Sequence, residues 1–157
     1  MTNKSRPRRF MIRALRPWWR LTRGLTIGAQ GVVVDERSGV LLVRHRYRPG
    51  WFFPGGGVER FETIETALAR ELHEETGVAL TAPAELHGIF SNGENFPGDH
   101  IAVFTVRAWE QAETPPPNME IAEQGFFTLK DLPRGTDAGT RRRLAEIFDG
   151  ADLSEMW

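Results

Sequence analysis

The chain has no cysteine in its 157 residues. That excludes a disulfide framework and any thiol chemistry. No apolar run is long enough to span a bilayer, and no internal repeat is visible. The formal net charge is only −1, and the composition is that of an ordinary globular protein. A cytoplasmic location is the matching expectation. The length suits one domain with a real core.

Acid is also missing from the start of the chain. No Asp or Glu precedes Asp35, whereas Lys4, Arg6, Arg8, Arg9, Arg13, Arg16, Arg20 and Arg23 are basic. Phe10, Met11, Ile12, Leu15, Trp18, Trp19 and Leu21 lie between them. The arginines interrupt the apolar stretch, which argues against a signal peptide. We read residues 1–24 as a basic arm and 25–157 as a single domain. The arm packs its aromatics on this domain or on a second subunit, as in a homodimer, or it lies on a membrane or a nucleic acid. Residues 10–23 are expected to be helical, with a break near Pro17.

Further along, 26–35 reads as a Val-rich strand, and Glu36-Arg37-Ser38-Gly39 as a turn into a second strand at 40–45. A helix is expected from about Thr63, a suitable N-cap, to Thr76, with Gly77 as C-cap. Residues 79–90 carry weak strand signals interrupted by Pro83. Residues 91–99 hold turn signals, 101–109 a strand, 111–118 a proline-rich loop and 120–129 another strand. A last helix is expected at about 137–148, stopped by Gly150. Strands interspersed with two helices imply an α/β layered domain with a mixed sheet.

The helix at 63–76 is the most informative segment. Glu71, Glu74 and Glu75 stand at i, i+3 and i+4 in its last turns, so like charges crowd one side and oppose the helix dipole. At about 100° per residue, Ile64, Leu68 and Leu72 form the apolar stripe and Glu75 falls between Ile64 and Leu68. Glu65, Thr66, Ala69, Arg70 and His73 take the solvent side. At least two carboxylates therefore point toward the protein body, where a buried carboxylate needs a partner or a metal. Just upstream, Pro54-Gly55-Gly56-Gly57 follows Trp51-Phe52-Phe53. Glycines there allow positive φ and close approach to a ligand, and a carbonyl released by such a turn can ligate a hard cation.

Gly56, five residues, Glu62, seven residues, then Arg70-Glu71-Leu72-His73-Glu74-Glu75-Thr76-Gly77-Val78 resembles the Nudix hydrolase signature at every fixed position. The resemblance covers the loop and helix; the strands at 31–43 and 101–127 are compatible with the rest. Phe61 departs from it, standing where family members often have glycine. The resemblance implies a Nudix-type α/β/α sandwich with a mixed sheet. It also implies metal-dependent hydrolysis of a pyrophosphate bond in a nucleoside diphosphate linked to another group, such as a nucleotide sugar, ADP-ribose, a dinucleotide or a triphosphate.

Oxygen ligands without cysteine favour Mg²⁺ or Mn²⁺. Glu71, Glu74 and Glu75 are the expected ligands, with the Gly55 and Gly56 backbone as a carbonyl donor. Either Glu74 or Glu75 also serves as base. Arg70 and Glu62 pair to hold loop against helix. A further acid from outside the signature is sought at Glu120 or Glu123. Arg44, Arg46 and Arg48 are candidates for phosphate contacts, and Trp51, Phe53 or Phe96 for stacking on a nucleobase. His45, His73, His87 and His100 show no ligand spacing and are assigned no role. The alternatives are a non-catalytic nucleotide-binding sensor of the same fold and an RNA-directed pyrophosphohydrolase that uses the basic arm.

Overall fold

The computed structural model describes residues 24–37 and 39–157. The basic arm, its expected helix and the dimer contact assigned to it lie outside the described residues.

Strand β1 (Thr26–Asp35) is the centre of the sheet. Along one edge it pairs in parallel with β6 (Asp99–Val106), from Thr26↔Asp99 to Val33↔Val106. Its other edge is shared. The first half pairs antiparallel with β3 (Gly55–Gly57), and the far end pairs with β2 (Gly39–His45) at Val34↔Val40 and Asp35↔Gly39. The expected β1–β2 turn is thus present, but the two strands diverge because β3 enters between them. β5 (Glu85–Ser91) flanks β6, and β8 (Ile121–Phe127) flanks β2. The mixed sheet follows from the parallel β1–β6 pair among antiparallel neighbours.

Two expectations need correction. The glycine triplet is strand β3 rather than a simple turn, with Gly56 opposite Ala29. At Gly55, with φ +144°, a Cβ would run into the Ala29 carbonyl of β1, and at Gly56 it would meet the Glu71 carboxylate. The strand expected over 101–109 ends at Val106, and Trp109–Gln111 forms a separate β7. β7 pairs with β4 (Val78–Leu80) in a two-stranded sheet, and the Trp109 indole N–H donates to the Val34 carbonyl at 2.9 Å.

Period-two alternation splits the core. Ala102, Phe104 and Val106 face one layer, with Ala29, Val33 and Leu41. Ile101 and Val103 face the other, with Val32, Val40 and Leu42. Helix α1 (Ile64–Thr76) covers the first face through Ala67, Leu68 and Leu72, all fully buried. Burying each leucine contributes about 1.5–3 kcal/mol. Helix α2 (Ala138–Phe148) covers the second through Leu144, beside Trp51, Phe90 and Trp157. The result is the helix–sheet–helix sandwich expected.

Local chemistry sets the ends of α1. Thr63 is extended and its hydroxyl accepts the Thr66 N–H at 3.1 Å. Gly77, at φ +76°, donates its N–H to the His73 carbonyl at 2.9 Å. α2 starts at Asp137, whose carboxylate accepts the Thr140 N–H at 3.0 Å. Among the described residues no helix is long and apolar enough to cross a membrane.

Candidate active site

Helix α1 runs beneath β3, and one arginine ties the two together. Arg70 meets Glu62 through two hydrogen bonds, Nε to Oε1 at 2.9 Å and Nη2 to Oε2 at 3.0 Å. Its Nη2 also donates to the Gly57 carbonyl at 3.1 Å. Its Nη1 reaches Glu71 at 2.7 Å and Glu74 at 3.3 Å. The angular count put Arg70 on the solvent side; instead it is half-buried against the returning loop, because five acceptors lie on that flank. Hydrogen bonding to Arg70 holds the Glu62 carboxyl below its usual range, and the same contacts raise the Arg70 pKa.

Glu75 is turned into the protein, 5% exposed. Its Oε2 accepts the Gly55 N–H at 2.8 Å. Burial pushes its pKa up to about 8; the Gly55 amide opposes this, and the charges of Glu71, Glu120 and Glu74 add to it. Burial also raises Glu71, against the pull of Arg70. Glu71 lies against Gly56, where a Cβ would sit 2.5 Å from the carboxylate. Glu74 is more open, with its side chain 59% exposed. The structure therefore brings together Gly55, Gly56, Glu71 and Glu75, with Glu74 on the rim.

Two more residues approach from β2 and the turn before β8. His45 is 8% exposed, and its Nδ1 lies 3.9 Å from Glu75 Oε1. Burial, and then the charge of Arg48, lower the His45 pKa, while Glu120 pulls the other way. Glu120 accepts from the Tyr47 hydroxyl at 3.4 Å. His45, Glu75 and Glu120 each offer a ligand atom within 4.8 Å of the others. His45 has no ligand spacing in the sequence, because its neighbours Glu75 and Glu120 are distant in the chain. A period-two reading of β2, with Leu41, Val43 and His45 on one face, was the available signal.

A divalent cation fits this arrangement on two observations. Three carboxylates disfavour the ionised form of a fourth at Glu75. Beside Glu75, His45 Nδ1 is buried without a hydrogen-bond partner among the described residues, as are Gln30 Oε1 and Gln124 Oε1. Gln30 stands opposite Gly55, and Gln124 Nε2 reaches the Glu75 carbonyl at 3.4 Å. Buried polar atoms without partners are uncommon, and a bound ion is one way to satisfy them.

Other sequence candidates fall elsewhere. Arg44 pairs with Glu123 at 2.8 Å, as their cross-strand register dictates. Arg44 also sits 5.9 Å from the Trp51 ring centre, and Trp51 belongs to the α2-side core. These three residues lie on the opposite sheet face from Glu75. Arg46 donates to the Asn118 carbonyl at 2.5 Å. Phe53 is core.

A cleft of about 260 Å³ opens beside β3, lined by residues including Gln30, His45, Tyr47, Arg48, Phe52, Gly55–Gly57, Asn92, Phe96 and Asp99. It adjoins a second cavity of about 410 Å³ through Arg48, Phe52, Asn92, Phe96 and Ile101. Arg48 stacks on Phe52 at 3.5 Å from the ring centre, and Phe96 is 62% exposed. Asp99 is held by Thr26 at 2.6 Å and Asn92 at 2.8 Å. A larger cavity of about 450 Å³, between the β1–β2 turn and α2, contains none of the sequence-predicted site residues.

Comparison with known proteins identifies the family. The NUDIX domain model matches residues 25–147. An 8-oxo-dGTP diphosphatase of Proteus vulgaris is 35% identical over 92 residues, 55% of this chain and 80% of that protein. The NAD-capped RNA hydrolase NudC of Vibrio cholerae is 31% identical over 126 residues, 79% of this chain and 45% of that protein. The chain spans only 42% to 43% of the length of other curated relatives it matches. Among solved structures, a MutT NUDIX hydrolase from Burkholderia pseudomallei superposes with a TM-score of 0.67 at 27% identity, covering 78% of this chain and 97% of that one.

Proposed function

The chain belongs to the Nudix family, and from that premise we propose that it hydrolyses a pyrophosphate bond in a nucleoside diphosphate linked to a second group. The reading includes a divalent cation, Mg²⁺ or Mn²⁺, at the junction of α1 and β3. The observation that carries it is Glu75, buried under Gly55 with its pKa pushed up to about 8 amid Glu71, Glu74 and Glu120. Such a carboxylate is poised for a cation or a proton, and both uses serve phosphoryl transfer to water.

Glu71, Glu74 and Glu75 would hold the ion, with the Gly55 and Gly56 backbone close enough to contribute a carbonyl. When bound, the cation supplies charge neutralisation for the phosphates and acidifies a water for attack on phosphorus. The chain's own groups do the rest. The Gly55 N–H orients Glu75. Arg70 and Glu62 set the distance between loop and helix, so the carboxylates and β3 keep one geometry. Glu74 or Glu75 takes the proton of the attacking water. Arg48, at the cleft wall, would donate to phosphate oxygens. The exposed ring of Phe96 offers a face for a nucleobase.

Relatives are named for 8-oxo-dGTP, ADP-ribose and NAD-capped RNA. Their shared chemistry is a pyrophosphate attached to a nucleoside, and that is the substrate class assigned here. The test is a screen of nucleotide sugars, dinucleotides, triphosphates and capped RNA with Mg²⁺ or Mn²⁺ and identification of products. A nucleoside monophosphate plus the phosphorylated second group is the expected outcome. Tight nucleotide binding with no turnover across the panel would overturn hydrolysis in favour of a sensor.

A further inference from the structure

Among the described residues, His45 is buried at the acidic cluster and has no part in the hydrolysis proposed for it. It closes β2, opposite Ile121 of β8. Its ring lies between Tyr47 and Phe52, with ring centres 5.1 and 5.9 Å away. The simplest account of a buried histidine is core packing with both ring nitrogens satisfied. That account fails here, because Nδ1 is buried and has no hydrogen-bond partner among the described residues. Leaving such an atom bare is costly.

A carboxylate oxygen of Glu75, Oε1, lies 3.9 Å from His45 Nδ1. That is too long for a hydrogen bond, which runs about 2.7–3.2 Å. It is short enough for two donors that share one ion at about 2.0–2.2 Å each. A ligand atom of Glu120 stands within 4.8 Å of both. Glu75 belongs to the helix, His45 to β2, and Glu120 to the turn before β8, so donors from three parts of the fold converge on one point.

We propose that His45 Nδ1 is a ligand of the metal centre, beside the Glu75 and Glu120 carboxylates, and that it tilts the site from Mg²⁺ toward transition ions. The expectation of Mg²⁺ or Mn²⁺ assumed oxygen donors alone. A nitrogen donor adds little for hard Mg²⁺ and favours ions that rise in affinity from Mn²⁺ to Co²⁺. The inference rests on the reading that this junction binds a divalent ion.

The test is calorimetric titration of the metal-free full chain with Mg²⁺, Mn²⁺ and Co²⁺, for wild type, His45→Gln and Glu75→Gln. We expect His45→Gln to weaken Co²⁺ by about tenfold or more, with Mn²⁺ intermediate and Mg²⁺ changed less than threefold. The Co²⁺ visible absorption of wild type should also change in this variant. Equal loss for all three ions, or none for Co²⁺, would overturn the histidine ligand while the carboxylate site stands if Glu75→Gln still abolishes binding. No binding of any ion by wild type would overturn both. Should His45→Gln fail to fold, proton NMR of the Co²⁺ wild type decides the matter. A paramagnetically shifted imidazole N–H supports ligation, and its absence contradicts it.

Discussion

Arg70 and Glu62 face each other fork to fork, with paired hydrogen bonds of 2.9 and 3.0 Å across eight residues of chain. The same guanidinium holds Gly57 of β3 and Glu71 of α1. One side chain thus fixes the loop, the strand and a carboxylate relative to one another.

Arg70→Lys should therefore be damaging although it keeps the charge. Lysine lacks the planar fork and cannot serve both sides at once. We expect kcat/KM on the pyrophosphate substrate to fall about 10–100-fold, with the circular dichroism spectrum unchanged. Activity within twofold of wild type would show that the clamp does not position the site.

Glu75 predicts a pH dependence for the metal-free protein. Its folded pKa is pushed up to about 8 by burial, above that of an unfolded glutamate. The folded state therefore holds the proton more tightly than the unfolded one. Its stabilising contribution is full below the unfolded value and is lost as pH rises toward about 8. The loss is on the order of a few kcal/mol. Urea melts of metal-free protein between pH 5 and pH 9 should show the decline. Glu75→Gln, which cannot ionise, should flatten it and be the more stable form at pH 8.5.

Phe61 stands at φ +71° with its side chain 99% exposed. A residue with a Cβ is strained there by about 1–2 kcal/mol, and the ring recovers nothing by packing. Phe61→Gly relieves the strain but adds unfolded-state entropy of about 0.4–1 kcal/mol. A net gain of up to about 1 kcal/mol is expected in denaturant titration. A loss of stability would mean that the ring has a partner in solution.

Arg143 is fully buried on α2, its guanidinium 3.7 Å from the Phe90 ring centre. It donates to Glu146 at 2.5 Å and to the Met156 carbonyl at 3.1 Å. Glu146 also meets His87 at 2.9 Å and accepts the Ser154 N–H at 2.9 Å. Burial alone would raise the Glu146 pKa, but its hydrogen bonds from His87, Ser154 and Arg143 hold it below the usual range. Arg143→Ala removes the guanidinium partner of that buried carboxylate and the hydrogen bond to Met156, loosening the segment ending at Trp157. A cost of about 3–5 kcal/mol is expected, read as a lower melting temperature. Metal affinity at the distant α1 cluster should stay unchanged at a temperature where the variant is folded.

The parts legible in the sequence were those set by local chemistry. Thr63 and Gly77 announce the ends of α1 by capping, and the Val-rich run 26–35 announces β1. The glycine triplet was harder to read, since three residues without side chains carry no pattern. Its strand exists only because β1, distant in sequence, presents an edge at Gly28 and Ala29. The same limit applies to partners across the sheet. Arg44 looked available for a phosphate until the β2–β8 register set it against Glu123. His45, one residue on, faces the other way, toward Glu75. Alternation along β2 puts the two on opposite faces, but the partner each meets there, Glu123 for one and Glu75 for the other, is set by sheet and helix packing, and no spacing along the chain reveals that.

In the function proposed, Glu71 and Glu75 turn inward around a divalent ion. Crystals grown with Mn²⁺ and measured at its absorption edge test this directly. The account predicts an anomalous peak within coordination distance of Glu75 and at least one further carboxylate, beside Gly55 and Gly56. No peak there in the presence of millimolar Mn²⁺, with both side chains unmoved, would contradict it.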